Sequence, residues 1–314
     1  MRSMHISEEI EKVFSKKSFD GVLKFKEPMK NHTSLRIGGP ADIFTQPRDI
    51  SSLKNILTIL KRKEISYLPF GGGTNVLVKD GGIDGAVISL KSFKRIEMLS
   101  EDDEYVCLHA EAGIPLQKLV AFTTEHDYTG IEWLVGIPGL LGGAICGNAG
   151  AFGSEIKDVL SCVWLMDSKG ILNKFNKEDI HFGYRKSGIS MSEIVVAGEL
   201  RLKKDTKEGV SSRIKNYLSR KRQQQPISEA SAGCVFKNPL GRTAGKLIEE
   251  AGCKGMRVGD IEVSNVHANF FINKGKGNAS DFLRLMQEVA QRVKERSGIV
   301  LESEIKIVGR EHAN

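Results

Sequence analysis

Two glycine-dense segments constrain the fold of this chain more than any other feature. The first is Gly71-Gly72-Gly73-Thr74-Asn75, and the second runs from Gly136 to Gly153. Glycine lets the backbone adopt positive φ and lets a ligand approach the main chain closely. Successive backbone N–H groups in such loops form a concavity that binds phosphate. One loop alone could be a tight turn that binds nothing, but two such loops predict a site that holds a pyrophosphate from both sides.

The motifs inside these segments exclude two common nucleotide-binding folds. Neither segment contains G-x-x-x-x-G-K-[ST], so a P-loop is excluded. No G-x-G-x-x-G follows a predicted strand, so the standard dinucleotide-binding fold is unsupported. The phosphate site is therefore expected in another kind of fold.

The hydrophobic pattern of residues 1–207 predicts strands, helices and glycine loops. Residues 1–30 are expected to form a helix followed by an irregular lead-in. Asp49 or Ser51 is expected to cap the next helix, and Pro115 to begin a further one. The apolar face of the capped helix consists of Ile50, Leu53, Ile56, Leu57 and Leu60. Strands are predicted at residues 67–70, 76–78, 86–90, 105–111, 161–167 and 194–202.

The C-terminal third has the pattern of a separate α/β domain. After a charged stretch at 203–209, helices are predicted at 210–223, 243–251 and around 282–293, the last with Gly298 beyond its end. The final strand, 301–307, is expected to alternate, with Leu301 and Ile305 on one face and Glu304 on the other. The fold class is therefore predicted as α+β, with domains at 1–90, 91–207 and 208–314.

The charge of the chain favours anionic partners. The formal net charge is +7 and the pI is about 9.0. Phosphorylated cofactors and nucleic acids are both anionic, so either class of partner fits this positive charge. The sequence has no basic stripe interleaved with aromatic residues, which disfavours nucleic acid. The dense run Arg220-Lys221-Arg222 is interpreted as a solvated helix face.

The cysteines and the apolar runs predict a reduced, cytoplasmic protein without a metal site. No two of the five cysteines have C-x-x-C spacing. The N-terminal residues lack the apolar core of a signal peptide, and no apolar run approaches the roughly 20 residues that span a bilayer.

A series of ordered motifs resembles the UDP-N-acetylenolpyruvoylglucosamine reductase family. The motifs lie at residues 31–42, 71–75, 136–153, 182–187, 231–239 and 301–305. The short interval between Arg185 and Cys234 resembles the shorter subclass of the family. The resemblance implies a two-subdomain FAD-binding fold, not a Rossmann fold, followed by a C-terminal α/β substrate-binding domain. It also implies non-covalent FAD, NADPH as co-substrate, and reduction of UDP-N-acetylglucosamine enolpyruvate to UDP-N-acetylmuramate, a step of peptidoglycan precursor synthesis.

The resemblance also implies roles for individual residues. Arg185 would bind the substrate carboxylate and stabilise its enolate, Cys234 would donate the proton, and Glu304 would complete the catalytic group. A hydroxyl commonly fills the position of Cys234 in the family; a thiol, with a reference pKa near 8.5, is the stronger acid. The residues implied to bind FAD are Arg36, Gly71, Gly72, Gly73, Thr74, Asn75, Gly136, Ile137, Pro138, Gly142, Gly143, Ala144, Asn148 and Gly153. Those implied to bind substrate are Tyr184, Arg222, Lys237, Asn238 and Asn269.

Two alternatives from other classes remain open at this point. One is a flavin-dependent oxidase of alcohols or sugars on the same FAD scaffold, against which the motifs around Arg185, Cys234 and Glu304 argue. The other is a nucleic-acid-binding protein, which the net charge permits. The enzyme is expected to act as a monomer, without nucleic acid or membrane.

Overall fold

The computed structural model describes residues 19–311, which form two compact units. The first unit is built from residues 19–27, Ala41–Gly71 and Asp84–Lys215. The second is built from Pro28–Pro40, Gly72–Ile83 and residues 216–311. Each unit thus combines stretches that are distant in sequence. The helix expected near the start of the chain lies outside the described residues, and Gly21–Pro28, expected as irregular lead-in, is a strand.

The described residues alternate between strands and helices. The strands are β1 (Gly21–Pro28), β2 (Pro40–Pro47), β3 (Tyr67–Phe70), β4 (Val76–Val78), β5 (Ile83–Ser89), β6 (Ile96–Glu101), β7 (Tyr105–Glu111), β8 (Tyr128–Thr129), β9 (Gly150–Ala151), β10 (Ser154–Glu155), β11 (Leu160–Met166), β12 (Leu172–Asn176), β13 (Ile194–Lys204), β14 (Ser231–Cys234), β15 (Arg257–Val258), β16 (Ile261–Val263), β17 (Phe270–Asn273) and β18 (Lys306–Val308). The α-helices are α1 (Ile50–Arg62), α2 (Leu116–Glu125), α3 (Leu141–Cys146), α4 (Lys207–Gln224), α5 (Ala244–Glu250) and α6 (Ala279–Ser297). Within residues 19–311, no helix is both long and apolar enough to cross a membrane.

A four-stranded sheet in the first unit leads the chain into the first glycine segment. Its strand order is β1-β2-β5-β3, and β3 runs parallel to β5 with Phe70 opposite Ser89. Helix α1 buries the predicted apolar face, and the Asp49 side chain accepts a 2.7 Å hydrogen bond from the Ser52 backbone N–H. The predicted helix and its cap are therefore confirmed. Because β3 ends at Phe70, Gly71 begins the glycine segment at the end of this sheet.

A larger antiparallel sheet in the first unit supports the second glycine segment. Its order is β12-β11-β13-β7-β6, with β8 pairing to the end of β13. Helix α3 packs on β13 at Gly198, where a Cβ atom would lie 2.8 Å from Cδ1 of Ile145. The bare α-carbon of Gly198 therefore lets α3 approach the sheet closely.

The second unit has its own sheet and hydrophobic core. Its antiparallel sheet has the order β14-β17-β16-β15. Helix α6 ends at Gly298, which adopts a left-handed φ of 72°, as its position predicted. Apolar side chains of the sheet and of α5 and α6 contribute to this core, among them Leu247, Ile248, Phe271, Phe282, Leu285 and Val289.

The predicted final strand is wrong over most of its length. Only Lys306–Val308 forms a strand, and it pairs in parallel with β4. Before it, the hydroxyl of Ser303 donates a 2.8 Å hydrogen bond to the carbonyl oxygen of Ile305. This local bond bends the backbone, because a serine side chain competes with the ladder for main-chain groups. Leu301 and Ile305 are therefore both buried, as their spacing suggested, but they lie in a bent segment and not in a strand.

The basic run on α4 is not a fully solvated face. Arg222 is exposed, but Lys221 is only 2% exposed. Lys221 lies three helical turns after the buried Val210, so it continues the inward-facing stripe of the helix. Burial lowers the pKa of Lys221 to about 8. The interpretation of the run as solvated was therefore wrong for Lys221, because helical periodicity outweighs the preference of lysine for water.

Candidate active site

The two glycine segments meet within the first unit. A Cβ atom on Gly71 would lie 3.6 Å from Cα of Gly143 in α3. Gly143 is exposed, and a Cβ atom there would have no neighbour within 4 Å. At Gly142, by contrast, a Cβ atom would lie 2.8 Å from Cβ of Ala112. Gly142 is thus needed for packing, whereas Gly143 presents bare backbone to open space.

The approach to α3 is shaped by backbone turns. Gly136 adopts a φ of 72°, and the carbonyl oxygen of Ile137 accepts a 2.7 Å hydrogen bond from Nε2 of Gln117. Pro138 is exposed, and Ala144 is buried in the helix. Of this stretch, Pro138 and Gly143 are therefore the most accessible to a bound molecule.

Residues 72–75 belong to the second unit, where they are fixed by backbone contacts. Gly73 has a φ of 66° and accepts a 3.0 Å hydrogen bond from the backbone N–H of Ser34. A side chain at Gly73 would collide with the carbonyl oxygen of His32. Asn75 donates from Nδ2 to the carbonyl oxygen of Glu304 at 3.3 Å. Gly72 and Thr74 are half-buried between these fixed points.

Arg36 lies beside a separate cavity of the second unit. It is exposed and adopts a left-handed φ of 56°. The cavity has a volume of about 370 Å³, and Lys30, Asp80, Asn278 and Ser280 also line it. Asp80 accepts hydrogen bonds from the backbone N–H groups of Ala279 and Ser280 at 2.8 and 2.9 Å, so its carboxylate caps α6.

Asn148 is a buried residue of the second glycine segment whose side chain links two other parts of the chain. It is fully buried and has a φ of 42°. Its Nδ2 atom donates 3.0 Å hydrogen bonds to Oε2 of Glu155 and to the carbonyl oxygen of Gly183. Gly153, in contrast, is exposed and has a φ of 86°. The side chain of Asn148 therefore serves the protein's own packing, while Gly153 is accessible.

Arg185 and Tyr184 occupy the tip of a tight turn in the first unit. Gly183 and Lys186 exchange backbone hydrogen bonds of 3.0 and 3.2 Å across the turn. Arg185 adopts a φ of 56°, and its guanidinium carbon lies 5.2 Å from the centre of the Tyr184 ring. The turn is anchored by Ser187, whose hydroxyl donates to the carbonyl oxygen of Cys146 at 2.9 Å. The planar guanidinium of Arg185 is thus carried on a turn that is strained and held in place.

Cys234 and Glu304 lie on neighbouring stretches of the second unit. Cys234 is half-buried and ends β14, where it is opposite Phe270 of β17. The carbonyl oxygen of Val235 accepts hydrogen bonds from the backbone N–H groups of Glu304, at 2.8 Å, and Ile305, at 3.3 Å. The structure therefore brings together the two stretches of backbone that carry these predicted catalytic residues.

Of the predicted substrate-binding residues, three in the second unit make contacts within the protein. Asn269 is 1% exposed, accepts from the Phe236 N–H at 2.9 Å and donates to the Phe236 carbonyl oxygen at 2.7 Å. Lys237 pairs with Glu302. Oδ1 of Asn238 accepts from the Ala244 N–H at 2.9 Å. Asn269 and Asn238 thus hold backbone in place, next to the strand that carries Cys234.

Sequence reasoning missed Asn273, which fixes the segment around Arg36. Asn273 is 7% exposed, donates from Nδ2 to the carbonyl oxygen of Leu35 at 2.9 Å, and accepts from the N–H groups of Gly275 and Gly277 at 3.1 and 3.0 Å. The signal was an asparagine followed by two closely spaced glycines, which is typical of side chain–backbone turns.

Comparisons with known proteins define the class to which this fold and site belong. Residues 41–176 match the FAD binding domain family. Residues 225–308 match the family described as UDP-N-acetylenolpyruvoylglucosamine reductase, C-terminal domain. This combination defines an FAD-dependent oxidoreductase, as the family resemblance implied.

Full-length relatives identify the family. The chain is 43% identical over 289 residues to the UDP-N-acetylenolpyruvoylglucosamine reductase of Geotalea uraniireducens (strain Rf4), covering 92% of this chain and 95% of the relative. It is 38% identical over 315 residues to that of Clostridium novyi (strain NT), covering all of both chains. The crystal structure of the enzyme (MurB) from Thermus caldophilus superposes with a TM-score of 0.77 at 33% identity, covering 93% of this chain and 100% of that one. The chain belongs to the UDP-N-acetylenolpyruvoylglucosamine reductase family.

Proposed function

We propose that this chain reduces UDP-N-acetylglucosamine enolpyruvate to UDP-N-acetylmuramate with NADPH as reductant and FAD as cofactor, a step of peptidoglycan precursor synthesis. The observation that carries this proposal is the pairing of the Cys234 and Glu304 segments through the carbonyl oxygen of Val235. This pairing holds a thiol and a carboxyl group on adjacent stretches, which suits protonation of the carbon that bears the substrate carboxylate. Family membership supplies the substrate class.

The glycine segments have the features that FAD binding requires. Gly71 and Gly143 approach each other, and Gly143 faces open space, so backbone N–H groups there can reach phosphate without interference from side chains. Within the two segments, Pro138, Gly143 and Gly153 are exposed and Gly71 is half-buried. When bound, FAD carries hydride from NADPH to the vinyl carbon of the substrate.

Each proposed catalytic residue has a distinct task. The guanidinium of Arg185 binds the substrate carboxylate and stabilises the negative charge that develops on it. The thiol of Cys234 gives a proton to the carbon adjacent to that carboxylate. Glu304 lies beside Cys234 and acts together with it at this carbon. A thiol is a stronger acid than the hydroxyl it replaces, so the proton transfer is chemically competent.

The proposed substrate-binding residues divide into direct contacts and supports. Tyr184 is 45% exposed beside Arg185, and Arg222 is exposed on α4, so both can contact a substrate. The side chains of Asn269 and Asn238 bond to backbone, which makes them supports of the loop that carries Cys234. Lys237 contributes positive charge near that loop. Among the other residues proposed for FAD, Thr74 and Asn75 can add side-chain hydrogen bonds to those of the backbone N–H groups.

The setting of the enzyme is also a proposal. None of the five cysteines, all of which lie within residues 19–311, forms a disulfide, which fits a reducing cytoplasm. Both of its substrates are anionic nucleotides, and a net charge of +7 suits them. We propose a monomer that binds neither nucleic acid nor membrane; light scattering at working concentration would detect a larger assembly.

The test that separates this function from a flavin-dependent oxidase is stoichiometry. Purified enzyme is supplied with NADPH and UDP-N-acetylglucosamine enolpyruvate in air. One UDP-N-acetylmuramate formed per NADPH consumed, without hydrogen peroxide, supports the proposal. Peroxide equal to the NADPH consumed, with no UDP-N-acetylmuramate, would reject the substrate and favour an oxidase.

A further inference from the structure

A tight hairpin inside the second glycine segment places Glu155 opposite Gly150. Strands β9 and β10 pair antiparallel with Gly150 directly across from Glu155. Phe152 and Gly153, the two residues of the turn, have φ values of 55° and 86°. Such a turn fixes the register of the short hairpin, because its twist matches that of paired strands. Glu155 therefore has a defined position relative to Gly150.

The missing side chain of Gly150 makes room for the Arg185 guanidinium. A Cβ atom on Gly150 would lie 2.9 Å from Nη1 of Arg185 and 3.0 Å from Cγ of Glu155. The Arg185 guanidinium and the Glu155 side chain therefore both lie against the same bare α-carbon. Any larger residue at position 150 would crowd both side chains, and also the carbonyl oxygen of Ser154, which would lie 2.8 Å from its Cβ atom.

Glu155 is held as a carboxylate in this position. Its Oε2 atom lies 2.7 Å from Nζ of Lys157 and accepts a 3.0 Å hydrogen bond from Asn148. Burial opposes its ionisation, but these hydrogen bonds and the positive charges of Lys157 and Arg185 outweigh burial and lower the pKa of Glu155. A negative charge therefore faces the guanidinium at neutral pH.

Asn148 connects the same carboxylate to the backbone of the arginine turn. Its Nδ2 atom donates to Glu155 and also to the carbonyl oxygen of Gly183, two residues before Arg185. The backbone of the turn is thus tied through Asn148 to Glu155, whose negative charge interacts with the positive charge of the Arg185 guanidinium.

We infer that Glu155 is a positioning residue that orients the Arg185 guanidinium for the substrate carboxylate. It acts through Arg185 and touches neither substrate nor cofactor. This inference rests on the proposed role of Arg185 in binding that carboxylate. Misplacing a catalytic group by about 1 Å can cost about a hundredfold in rate. Removing the charge of Glu155 is therefore expected to slow the step that uses Arg185.

The test is Glu155→Gln in the FAD-loaded enzyme, measured in separate half-reactions. The substitution keeps the side-chain shape and a hydrogen-bond acceptor. Glu155 also forms a capping box with Asp158 at the start of the short 3-10 helix Ile156–Asp158. The variant is expected to fold, because a second capping box in the same unit already has a neutral amide, Asn176, at the position equivalent to Glu155. The matched control is Asp179→Asn, which removes a carboxylate from that second box. Gly150→Ala crowds the guanidinium but also the carbonyl oxygen of Ser154, so its reoxidation rate is compared only if its flavin spectrum and NADPH-dependent bleaching match the wild type.

We expect Glu155→Gln to keep the flavin spectrum and the NADPH-dependent bleaching while slowing reoxidation by UDP-N-acetylglucosamine enolpyruvate about ten- to a hundredfold. Gly150→Ala should do the same, and Asp179→Asn should behave as wild type. In an Arg185→Ala background, Glu155→Gln should cause no further loss, because its effect passes through Arg185.

Three outcomes would overturn parts of this account in distinguishable ways. If Arg185→Ala itself leaves reoxidation unchanged, the proposed role of Arg185 fails. If Arg185→Ala slows reoxidation but Glu155→Gln and Gly150→Ala do not, only the inference about Glu155 fails. Equal slowing by Glu155→Gln with and without Arg185 would show that Glu155 acts independently of the guanidinium.

Discussion

The backbone N–H of Glu304 donates a 2.8 Å hydrogen bond to the carbonyl oxygen of Val235, the residue that follows Cys234. This contact joins two proposed catalytic positions through main-chain atoms. Because the link does not involve either side chain, substitution of Cys234 or Glu304 should leave the two stretches in place. Variants at these positions therefore test chemistry more than folding.

Glu304→Ala should abolish most of the second half-reaction. Flavin binding and bleaching by NADPH should persist, while reoxidation by substrate should fall about 10²–10⁴-fold, the usual contribution of a general acid–base group. Stopped-flow absorbance of the flavin measures both steps. Glu295→Ala, which removes an exposed carboxylate from helix α6 of the same unit, is the control. Normal reoxidation in Glu304→Ala would remove Glu304 from the catalytic group.

Cys234→Ala should lose the same half-reaction, because it removes the proposed proton donor. Cys234→Ser should retain substantial activity, because a hydroxyl can give a proton from the same position. Reoxidation rates of the two variants are compared with Cys107→Ser, which changes a half-buried thiol of the first unit. If alanine and serine variants react equally fast, the proton comes from another group.

Gly143→Val should weaken FAD binding without unfolding the protein. A side chain at position 143 would enter open space in the protein but would obstruct a ligand approaching the backbone. The FAD dissociation constant, from flavin fluorescence, is expected to rise at least about tenfold, equivalent to about 1.4 kcal/mol. Gly142→Ala is the contrasting variant: its Cβ atom meets Ala112, so it should cost about 1–3 kcal/mol of stability. Wild-type FAD affinity in Gly143→Val would place the cofactor elsewhere.

Lys221 should make stability rise with pH above neutrality. Its pKa is lowered from 10.5 to about 8 in the folded chain, so the unfolded chain binds more protons between these values. The free energy of unfolding of the wild type should therefore increase relative to Lys221→Met as pH rises from 8 to 10.5. Denaturant titrations at several pH values measure this difference. Lys215→Met, on the exposed side of the same helix, measures the effect of net charge alone. A constant difference across the range would contradict the buried-charge account.

The sequence correctly predicted those helices whose own residues carry the signals for where a helix begins, ends and faces the core. Helix α1 has an apolar stripe and an aspartate cap, and α6 has a terminal glycine, so local signals sufficed. The segment 301–307 also has an alternating pattern, but Ser303 forms a local bond that no alternation reveals. Lys221 shows the converse, because its helical position outweighs its residue type.

The sequence predicted which residues belong to the candidate site better than it predicted what each of them does there. The glycine segments and the catalytic motifs stand out in the sequence. Asn148 and Asn269, however, are buried and bond to the protein's own backbone and side chains. Only tertiary contacts distinguish such supports from ligand-binding residues. The division at 1–90, 91–207 and 208–314 and the individual site roles stay predictions.

The absorbance of the flavin during successive anaerobic additions tests the central claim most directly. Purified, FAD-loaded enzyme receives NADPH and then UDP-N-acetylglucosamine enolpyruvate. The account predicts that the yellow colour bleaches with NADPH and returns with the enolpyruvyl substrate in the absence of oxygen. A flavin that bleaches but recovers its colour only when oxygen is admitted would contradict the proposed substrate.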